Sequence, residues 1–397
     1  MMRLKNNQQI IFQPESDLAM NWRFVLWSTL SLVAVFAALG GAWIVSLPAA
    51  KVSALTPVVV AEMEATLASL RPPKRQHPLI AILGINDATE TTDYLMPYGI
   101  LRRADVADVV AVATAPGPIK LFPALTVEPQ ATVAEFDAQH PRGADYVIVP
   151  AMSRDNDPTS LEWIKSQSAK GAIVIGVCAG AKVVAAAGLL AGRRATTHWY
   201  YLDELRRKHP TIQYIADRRL VVDHGVATTT GISASMPMAL TLVEAIAGRA
   251  KAEQVGRDIG VMDWDSRHDS AAFQFTRPFA LTAIVNTLAF WRHETLGLEL
   301  KPEIDEVLLA LVADAWSRTY RSRVETFAAV ASGYRSRNGL SILPDRITSE
   351  WLEERRLPLM GAQKPAVALD EILHSIAQRY GTGTSDFVAM QLEYQSK

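Results

Sequence analysis

The chain has 397 residues, of which 49% are hydrophobic and 20% are charged, a composition typical of a folded protein with a sizeable core. Its 40 basic and 41 acidic side chains give a formal net charge of -1, which excludes a whole-chain field that would recruit nucleic acid. The one cysteine excludes an intramolecular disulfide and a multi-cysteine metal site, and leaves a single thiol to explain.

The first predicted element is a transmembrane helix over residues 22–48. No charged side chain occurs from residue 24 to residue 47, and this run is longer than the roughly 20 residues that a helix needs to cross a bilayer. A cleavable signal peptide has a shorter apolar region and small residues at its cleavage site. We therefore expect an uncleaved anchor that ties the protein to a membrane.

Charges on either side of this helix predict its orientation. Arg3, Lys5 and Arg23 precede or open the apolar run, whereas only Lys51 follows it closely. Because basic residues are retained on the cytoplasmic side, we expect residues 1–21 to form a cytoplasmic tail. The rest of the chain is then periplasmic or extracellular, on a single-pass membrane protein.

After the anchor, residues 49–77 are predicted to form a stalk that ends at the proline-rich segment 71–75. Over residues 78–250, short apolar runs alternate with helix-like stretches. Continuous apolar strands separated by helices predict an α/β, three-layer sandwich around a mostly parallel sheet. The predicted strands are 79–83, 109–114, 146–149, 172–177 and 220–222, and the predicted helices include 161–168, 181–190 and 238–247.

The pattern changes after about residue 250. Segments 279–296 and 303–320 have the length and period of helices, and 369–380 is a weaker third. We therefore expect residues 251–397 to be a mainly helical C-terminal extension, separate from the preceding domain. The sequence leaves open whether it acts as a lid, a dimer interface or a partner site.

The cysteine lies in a motif suited to nucleophilic chemistry. Residues 176–180 read GVCAG, a glycine-x-nucleophile-x-glycine pattern that turns a strand sharply into a helix and holds the nucleophile exposed. A helix N-terminus after Cys178 would stabilise the thiolate and lower its pKa. Lys182, one turn later, would add to this effect or would simply be solvated. The alternative to a nucleophile is a buried structural cysteine.

Residues 176–205, GVCAGAKVVAAAGLLAGRRATTHWYYLDEL, resemble the elbow region of the ThiJ/PfpI superfamily, of the class I glutamine amidotransferase-like type. They are most similar to the amidase-like domains of AraC-type regulators and to isonitrile hydratases. The resemblance continues through the end of strand 146–149 and through residues 90–93, ETTD, and covers residues 78–249. It implies a flavodoxin-like sheet carrying a nucleophile elbow, and leaves the anchor and the last third uncovered.

This resemblance implies an acidic residue beside the thiol, and Asp93 matches it. A carboxyl group there can act as a general acid or base. Glu90 and Asp87 are alternatives, and any of the three would equally serve as a helix cap. His198 matches the position where glyoxalase-like members place a histidine near the cysteine, although a structural histidine fits the pattern as well.

The resemblance also implies an oxyanion hole of backbone N–H groups. One donor is expected from Ala179 and another from the loop around Ala151 and Met152. Two departures from the family pattern affect which substrate the site would accept. Relatives usually have two glycines after Pro150, where this chain has alanine and methionine, and isonitrile hydratases usually have threonine where this chain has Ala179.

Two polar clusters have no assigned role in this scheme. Residues 263–269, DWDSRHD, would either fold back over a pocket or form a solvated linker. A basic cluster near the start of the last quarter would either bind phosphate or anionic lipid headgroups, or be solvated. Its members are Arg318, Arg321, Arg323, Arg335 and Arg337.

Two functions follow from the sequence. The first is a hydratase, hydrolase or glyoxalase-like enzyme that uses Cys178 on small electrophilic substrates, with no cofactor and no metal. The alternative is a non-catalytic ligand- or redox-sensing module related to the domains of AraC-type regulators. A nucleic-acid partner is not expected, since no helix-turn-helix pattern follows Arg249, and a homodimer is expected by analogy alone. Glutamine amidotransferase activity is disfavoured because no histidine-x-glutamate pair follows the elbow.

Overall fold

The computed structural model describes residues 17–48, 55–358 and 363–395. Residues 1–16 of the predicted cytoplasmic tail and 49–54 of the predicted stalk therefore lie outside the described residues. By its contacts the chain divides into two units, residues 1–48 and 49–397. Each unit is described by itself.

The helices, in chain order, are α1 (Asp17–Ser46), α2 (Val60–Ser69), α3 (Thr91–Ala104), α4 (Val133–Gln139), α5 (Pro158–Ala169), α6 (Gly180–Ala186), α7 (Leu202–Lys208), α8 (Ser235–Ala247), α9 (Arg249–Ile259), α10 (Arg277–Leu288), α11 (Glu306–Ser317), α12 (Pro365–Tyr380) and α13 (Thr382–Gln391). The strands are β1 (Leu79–Gly84), β2 (Asp87–Glu90), β3 (Asp108–Ala113), β4 (Ile119–Phe122), β5 (Thr126–Glu128), β6 (Ala131–Thr132), β7 (Tyr146–Val149), β8 (Ile173–Gly176), β9 (Arg194–Ala195), β10 (Gln213–Tyr214), β11 (Leu220–Asp223), β12 (Val226–Thr229), β13 (Glu294–Glu299), β14 (Ser322–Ala328), β15 (Tyr334–Arg335), β16 (Ser341–Leu343) and β17 (Arg346–Ile347).

The N-terminal unit is the single helix α1. Its apolar part, Phe24–Ser46, has 23 residues with a mean hydropathy of 1.9, and none of it is buried. By length and composition this helix can cross a membrane.

The second unit is built around a seven-stranded sheet in the order β11-β12-β8-β7-β1-β3-β6. All neighbouring strands are parallel except β11, which pairs antiparallel with β12. The five inner strands, β3-β1-β7-β8-β12, follow the flavodoxin-like order. Every residue of β1, β7 and β8 is buried, because helices cover both faces of the sheet. The predicted three-layer sandwich is thereby confirmed.

The two faces of the sheet carry separate apolar cores. The larger core lies under α3, α8, α9, α11 and α12, and the smaller one lies under α4, α5 and α6. The larger core joins segments before and after residue 250. Helix α3 approaches α11 so closely that a Cβ on Gly99 would lie 2.6 Å from Glu306 and Val307 side-chain atoms. The C-terminal extension is thus part of the main body.

The extension is mostly helical but also contains strands. A small parallel sheet has the order β13-β14-β17, with α11 crossing between its first two strands. Strands β15 and β16 extend a second sheet, β15-β16-β5-β4-β2, whose other members lie before residue 130. The predicted helix over 279–296 is wrong at its end, since α10 stops at Leu288 and residues 294–299 pair with β14.

The described part of the predicted stalk, residues 55–77, packs on the body. Glu62 of α2 forms an ion pair with Arg218 at 2.6 Å. Leu70 is buried, and its carbonyl accepts a hydrogen bond from the Tyr146 hydroxyl at 2.7 Å. Helix α2 and the residue after it are therefore attached to the body by an ion pair and a hydrogen bond.

Candidate active site

Cys178 lies between the end of β8 and the start of α6, where the main chain turns sharply. Its φ of 56° lies in the left-handed region, which a residue with a side chain adopts only at a local cost in energy. The turn depends on close backbone packing, since a Cβ on Gly180 would lie 2.0 Å from the Val149 carbonyl oxygen. The predicted nucleophile elbow is present, with Cys178 at its apex.

The elbow is fixed by hydrogen bonds to its main chain. The Cys178 N–H donates to the Thr229 hydroxyl at 3.1 Å, and the Thr197 hydroxyl donates to the Cys178 carbonyl at 3.0 Å. Thr229 lies at the end of the neighbouring strand β12, and Thr197 precedes His198. These bonds leave the thiol as the one group of Cys178 available for chemistry.

The Cys178 thiol is buried, with 5% of the residue exposed. Burial raises the pKa of this thiol well above its ordinary value, and the carboxyl groups of Asp93, Glu90 and Glu393 raise it further. The Ala179 N–H acts in the opposite direction, and it is outweighed. The sequence-based expectation of a lowered pKa is therefore wrong, because the short helix α6 cannot offset burial among three carboxyl groups.

Asp93 lies in the first turn of α3 and is fully buried. Its Oδ2 atom accepts a hydrogen bond from the Ala151 N–H at 3.1 Å, while Oδ1 has no hydrogen-bond partner of good geometry among the described residues. Burial raises the Asp93 pKa to about 7, although the Ala151 N–H, Arg318 and the Cys178 thiol act to lower it. A carboxyl group with this pKa exchanges protons readily at neutral pH.

Glu90 caps α3 and supports Asp93. Its carboxylate accepts the Asp93 N–H at 2.5 Å and the Thr92 hydroxyl at 2.9 Å. Burial raises the Glu90 pKa well above its ordinary value, the neighbouring Asp93 and Asp314 raise it further, and Arg318 opposes them. The capping role that the sequence left open for Glu90 is the one the structure shows, and it sets the position of Asp93.

Arg318 supplies a buried cation to this cluster from the C-terminal extension. Its guanidinium donates to Glu90 Oε1 at 2.7 Å and to Asp314 Oδ2 at 2.7 Å. Its neighbours Asp314 and Glu90 raise its pKa against the effect of burial, so Arg318 is charged. The sequence suggested a solvated or headgroup-binding role for Arg318, which is wrong. The signal that would have found it is an aspartate and an arginine four residues apart in an otherwise apolar helix.

His198 has both ring nitrogens engaged. Nε2 lies 2.9 Å from the Gln391 carbonyl oxygen, and Nδ1 accepts the Tyr200 N–H at 3.2 Å. This pairing assigns the proton to Nε2, and burial lowers the His198 pKa, so the ring is neutral. The structural role that the sequence left open for His198 is the one these bonds describe. They join the domain to the end of the chain.

Glu393 was not identified from the sequence. It is buried, with a φ of 50°, and its carboxylate accepts N–H groups of Trp199, at 2.7 Å, and Gly231. His268, from the segment 263–269, lies 3.9 Å from the same carboxylate. The end of the chain thus enters the domain beside the elbow. No local pattern marks Glu393, because its partners lie far away in the sequence.

The remaining predicted residues make contacts away from the thiol or with other groups. The Ala151 N–H donates to Asp93, and Met152 forms an isolated β-bridge with Thr89. Neither contact tests the second oxyanion donor, which remains a prediction. Asp87 is exposed and pairs with a surface arginine at 2.8 Å. Lys182 pairs with Glu204 at 2.9 Å, so its charge is already compensated. In the part of the chain that the structure describes, no group of three or more His, Cys, Asp or Glu side chains is arranged to hold a metal ion.

The DJ-1/PfpI family model matches residues 80–245. An isonitrile hydratase of Pseudomonas putida is 43% identical over 100 residues, which are 25% of this chain and 42% of that protein. The Parkinson disease protein 7 homolog of Danio rerio is 26% identical over 180 residues, 44% of this chain and 93% of that protein. The HTH-type transcriptional regulator CdhR of Pseudomonas aeruginosa is 27% identical over 125 residues, 32% of this chain and 37% of that protein. The chain thus spans less than half the length of the hydratase and of the regulator.

Two solved structures are each similar to about half of this chain. A DJ-1 superfamily protein from Salmonella typhimurium has a TM-score of 0.42 and 22% identity, covering 47% of this chain and 100% of that one. Drosophila melanogaster DJ-1beta has a TM-score of 0.42 and 19% identity, covering 47% of this chain and 98% of that one.

Proposed function

Since residues 80–245 form a DJ-1/PfpI family domain, we propose that the chain is a membrane-anchored, cysteine-dependent hydratase or hydrolase of small electrophilic substrates. It needs no cofactor. The observation that carries this proposal is the buried Asp93 carboxyl group, whose pKa of about 7 responds to the adjacent Cys178 thiol. A nucleophile on an elbow next to a group that exchanges its proton at neutral pH is the minimal arrangement for covalent catalysis.

The reaction begins with the thiol protonated. Cys178 transfers its proton to the Asp93 carboxylate, and the thiolate forms a C–S bond with the electrophilic carbon of the substrate. Charge that develops on the substrate is stabilised by the Ala179 N–H, and the proton held on Asp93 neutralises it. That proton passes to the attacked carbon of an isonitrile, to the oxygen of an aldehyde, or to the nitrogen of an amide, whose amine then leaves. Water then adds to the same carbon, the C–S bond breaks, and a proton returns to the sulfur. The net change is the addition of one water molecule to the substrate.

The substrate class follows from the site and from one relative. The Pseudomonas putida relative is an isonitrile hydratase, and an alkyl isonitrile is a small, uncharged molecule that can reach a buried thiol. Ala179 replaces the threonine usual in such enzymes, so 2-oxoaldehydes and small amides remain in the same proposal. The buried thiol restricts all of these to compact molecules.

Turnover tests this proposal directly. Full-length protein in detergent would be assayed with an alkyl isonitrile, methylglyoxal and a small amide, as wild type and as Cys178→Ser and Asp93→Asn variants. We expect one substrate to be consumed by the wild type, no turnover by Cys178→Ser, and a loss of 10²-fold or more in Asp93→Asn, as general acid–base catalysis predicts. Asp87→Asn is the matched control, because this exposed carboxylate pairs with a surface arginine. Equal activity in wild type and Cys178→Ser would refute the proposal.

A sensing module is the second candidate, and the end of the chain favours it. The Gln391 carbonyl and the Glu393 carboxylate bind His198 and Trp199, and Glu393 lies close enough to raise the pKa of the Cys178 thiol, which supports a segment that covers the thiol and that a ligand would displace. In that case small molecules or oxidants would change the position of the end of the chain and no product would form. Ligand binding that alters protection of residues 391–395 from proteolysis, without turnover, would support sensing over catalysis.

Anchoring by α1 and a homodimer complete the proposal. The anchor is supported by the length and apolar composition of Phe24–Ser46, and the basic residues before it support a cytoplasmic N-terminus. Protease treatment of cells tests the orientation. We expect protease to cleave the body when the cell envelope is permeabilised but the cytoplasmic membrane is still intact. Sedimentation in detergent tests the homodimer.

A further inference from the structure

The outward face of α10 and of the turn after it is apolar. Four aliphatic side chains of this helix are between 40% and 63% exposed, and the next two aromatic residues are 71% and 69% exposed. Their spacing places the aliphatic residues on one face of the helix. We call this surface the apolar ridge; it consists of Leu281, Ile284, Val285, Leu288, Phe290 and Trp291.

The opposite face holds α10 on the body. Phe279, Ala280 and Asn286 are buried there. The Asn286 amide donates to the Thr319 carbonyl at 2.9 Å and to the Thr384 hydroxyl at 3.1 Å. The helix therefore buries apolar residues and one hydrogen-bonded amide on the side toward the body, and still carries aliphatic side chains on its outer side. An exposed apolar surface of this kind marks an interaction site.

A cavity of about 410 Å³ adjoins the ridge. Arg321 and Arg323 line it, and the Arg321 Nε atom is buried without a hydrogen-bond partner among the described residues. The one lining carboxylate, Glu294, already accepts from Arg379 at 2.7 Å and 2.8 Å. Arg323 is already paired with Glu325, so the cavity offers an anion the Arg321 guanidinium together with hydroxyl donors. Its other lining residues are Thr287, His293, Thr295, Tyr320 and Ser322.

Charge along the ridge has one sign. Residues 277–293 contain Arg277 and Arg292, one near each end, and no aspartate or glutamate. Exposed aromatic side chains, an aliphatic helix face and flanking arginines are the composition of segments that lie in the interface of a bilayer. Anionic headgroups attract each such basic residue with about 1 kcal/mol.

We propose that the apolar ridge docks on a lipid bilayer and that the adjoining cavity receives the phosphate of an anionic phospholipid headgroup. A second copy of this chain fits less well, because a two-fold contact through the ridge would bring the exposed Arg292 of each copy together. The proposed anchor supplies the bilayer: residues 47–59 connect α1 to α2, and when fully extended they reach about 45 Å. The choice of a bilayer rests on that anchor, and is independent of the catalytic proposal.

Depth-dependent quenching in vesicles tests this docking. Full-length Cys178→Ser protein would carry one added cysteine, Leu288→Cys on the ridge, labelled with an environment-sensitive fluorophore. Leu352→Cys is the matched control, since Leu352 is 60% exposed and Leu288 is 63% exposed. Val35→Cys reports separately on α1. The vesicles are phosphatidylcholine with or without phosphatidylglycerol, and contain nitroxide-labelled lipid as the quencher.

We expect a blue shift and strong quenching at residue 288, no change at residue 352, and a larger effect with phosphatidylglycerol that falls at high salt. Arg321→Gln should reduce the ratio of docked to undocked protein about fivefold, the factor that 1 kcal/mol per basic residue gives. Quenching at residue 35 without quenching at residue 288 would retain the anchor and overturn the docking. Cross-linking between two copies through residue 288 would overturn it in favour of a dimer.

Discussion

The Cys178 thiol has more carboxyl groups than cations around it. Asp93, Glu90 and Glu393 each raise its pKa, in addition to the larger effect of burial, and Arg318 is already paired with two carboxylates. The thiol is therefore protonated at neutral pH. Catalysis through it depends on a neighbour that accepts the proton only when a substrate arrives, and Asp93 is placed for that step.

Removing the Asp93 charge should lower the Cys178 pKa. Above about pH 7 the ionised Asp93 carboxylate repels the thiolate; Asn has nearly the same shape and no charge. We expect the midpoint of Cys178 alkylation against pH to fall by on the order of one unit in Asp93→Asn. Iodoacetamide labelling followed by mass spectrometry measures this. Asp87→Asn should leave the midpoint in place, and an unchanged or higher midpoint in Asp93→Asn would count against the geometry.

The same substitution should stabilise the protein at higher pH. The Asp93 pKa is about 7 in the folded chain against the ordinary value of 3.8. Between these values the unfolded chain ionises while the folded chain stays protonated, so stability due to this group is fully present below pH 3.8 and is lost as pH rises through 7. Asp93→Asn does not titrate. Its advantage in free energy of unfolding should grow between pH 4 and pH 8, by up to about 4 kcal/mol. Urea unfolding of both proteins at several pH values measures this advantage. A difference in free energy of unfolding that stays constant with pH would contradict the prediction.

Among the elements, the end of the chain after α13 closes the site. Glu393 accepts two backbone N–H groups, and Gln391 accepts from His198, so the segment is attached by hydrogen bonds to the loop and turn beside the elbow. Between 162 and 194 residues separate these partners along the chain. A local sequence pattern carries no information about such a contact, which explains why Glu393 was missed.

Releasing this segment should expose the thiol. Glu393→Ala leaves the Trp199 and Gly231 N–H groups without their acceptor and removes a negative charge near Cys178. We expect faster alkylation of Cys178 at neutral pH, and a loss of about 2 kcal/mol in stability for the unsatisfied groups. Asp386→Ala, on the exposed side of α13, is the control and should behave as wild type. Slower or unchanged alkylation in Glu393→Ala would show that the segment does not cover the thiol.

Five of the seven strands of the main sheet could be predicted because each is a continuous apolar run. Strands β6 and β12 were missed, since their sequences, AT and VATT, are short and contain threonine. Strands β13 and β14 were also missed, since ETLGLE and SRVETFA contain only two large apolar residues each and pair with each other across α11. At the site, Cys178 and Asp93 were predictable from the elbow motif and the family resemblance. Arg318 was interpreted wrongly because burial depends on how α11 packs on α3, which is a property of the tertiary fold.

At the scale of the whole molecule, residues 55–358 and 363–395 belong to one compact unit, with a shared core on one face of the sheet. Helices α3 and α8 come from the family domain, and α11 and α12 come from the extension. The buried charges of the site also come from both, with Asp93 and Glu90 on one side and Arg318 and Asp314 on the other. The family domain and the extension therefore each need the other to bury their apolar surface and to pair their charged groups.

A fragment that ends at residue 250 should therefore not fold. It would expose the apolar surface that α11 and α12 cover and would leave Glu90 and Asp93 buried without Arg318. We expect residues 55–250 to be aggregated or to lack a cooperative thermal transition, whereas residues 55–397 should unfold in one transition. Circular dichroism and calorimetry measure both. A cooperative transition of the shorter fragment at the same temperature would contradict a shared core.

The central claim is that Cys178 is a nucleophile served by Asp93, and trapping a covalent adduct tests it most directly. Full-length wild type, Cys178→Ser and Asp93→Asn proteins would be mixed with an alkyl isonitrile or methylglyoxal, acid-quenched within seconds, and analysed by peptide mass spectrometry. The account predicts a substrate-sized mass increase on the peptide containing Cys178 in the wild type, and none in Cys178→Ser. In Asp93→Asn the adduct should form more slowly, because the thiol lacks the carboxylate that accepts its proton. A wild-type protein that turns over substrate with no adduct, or that forms adducts only on other residues, would contradict the account.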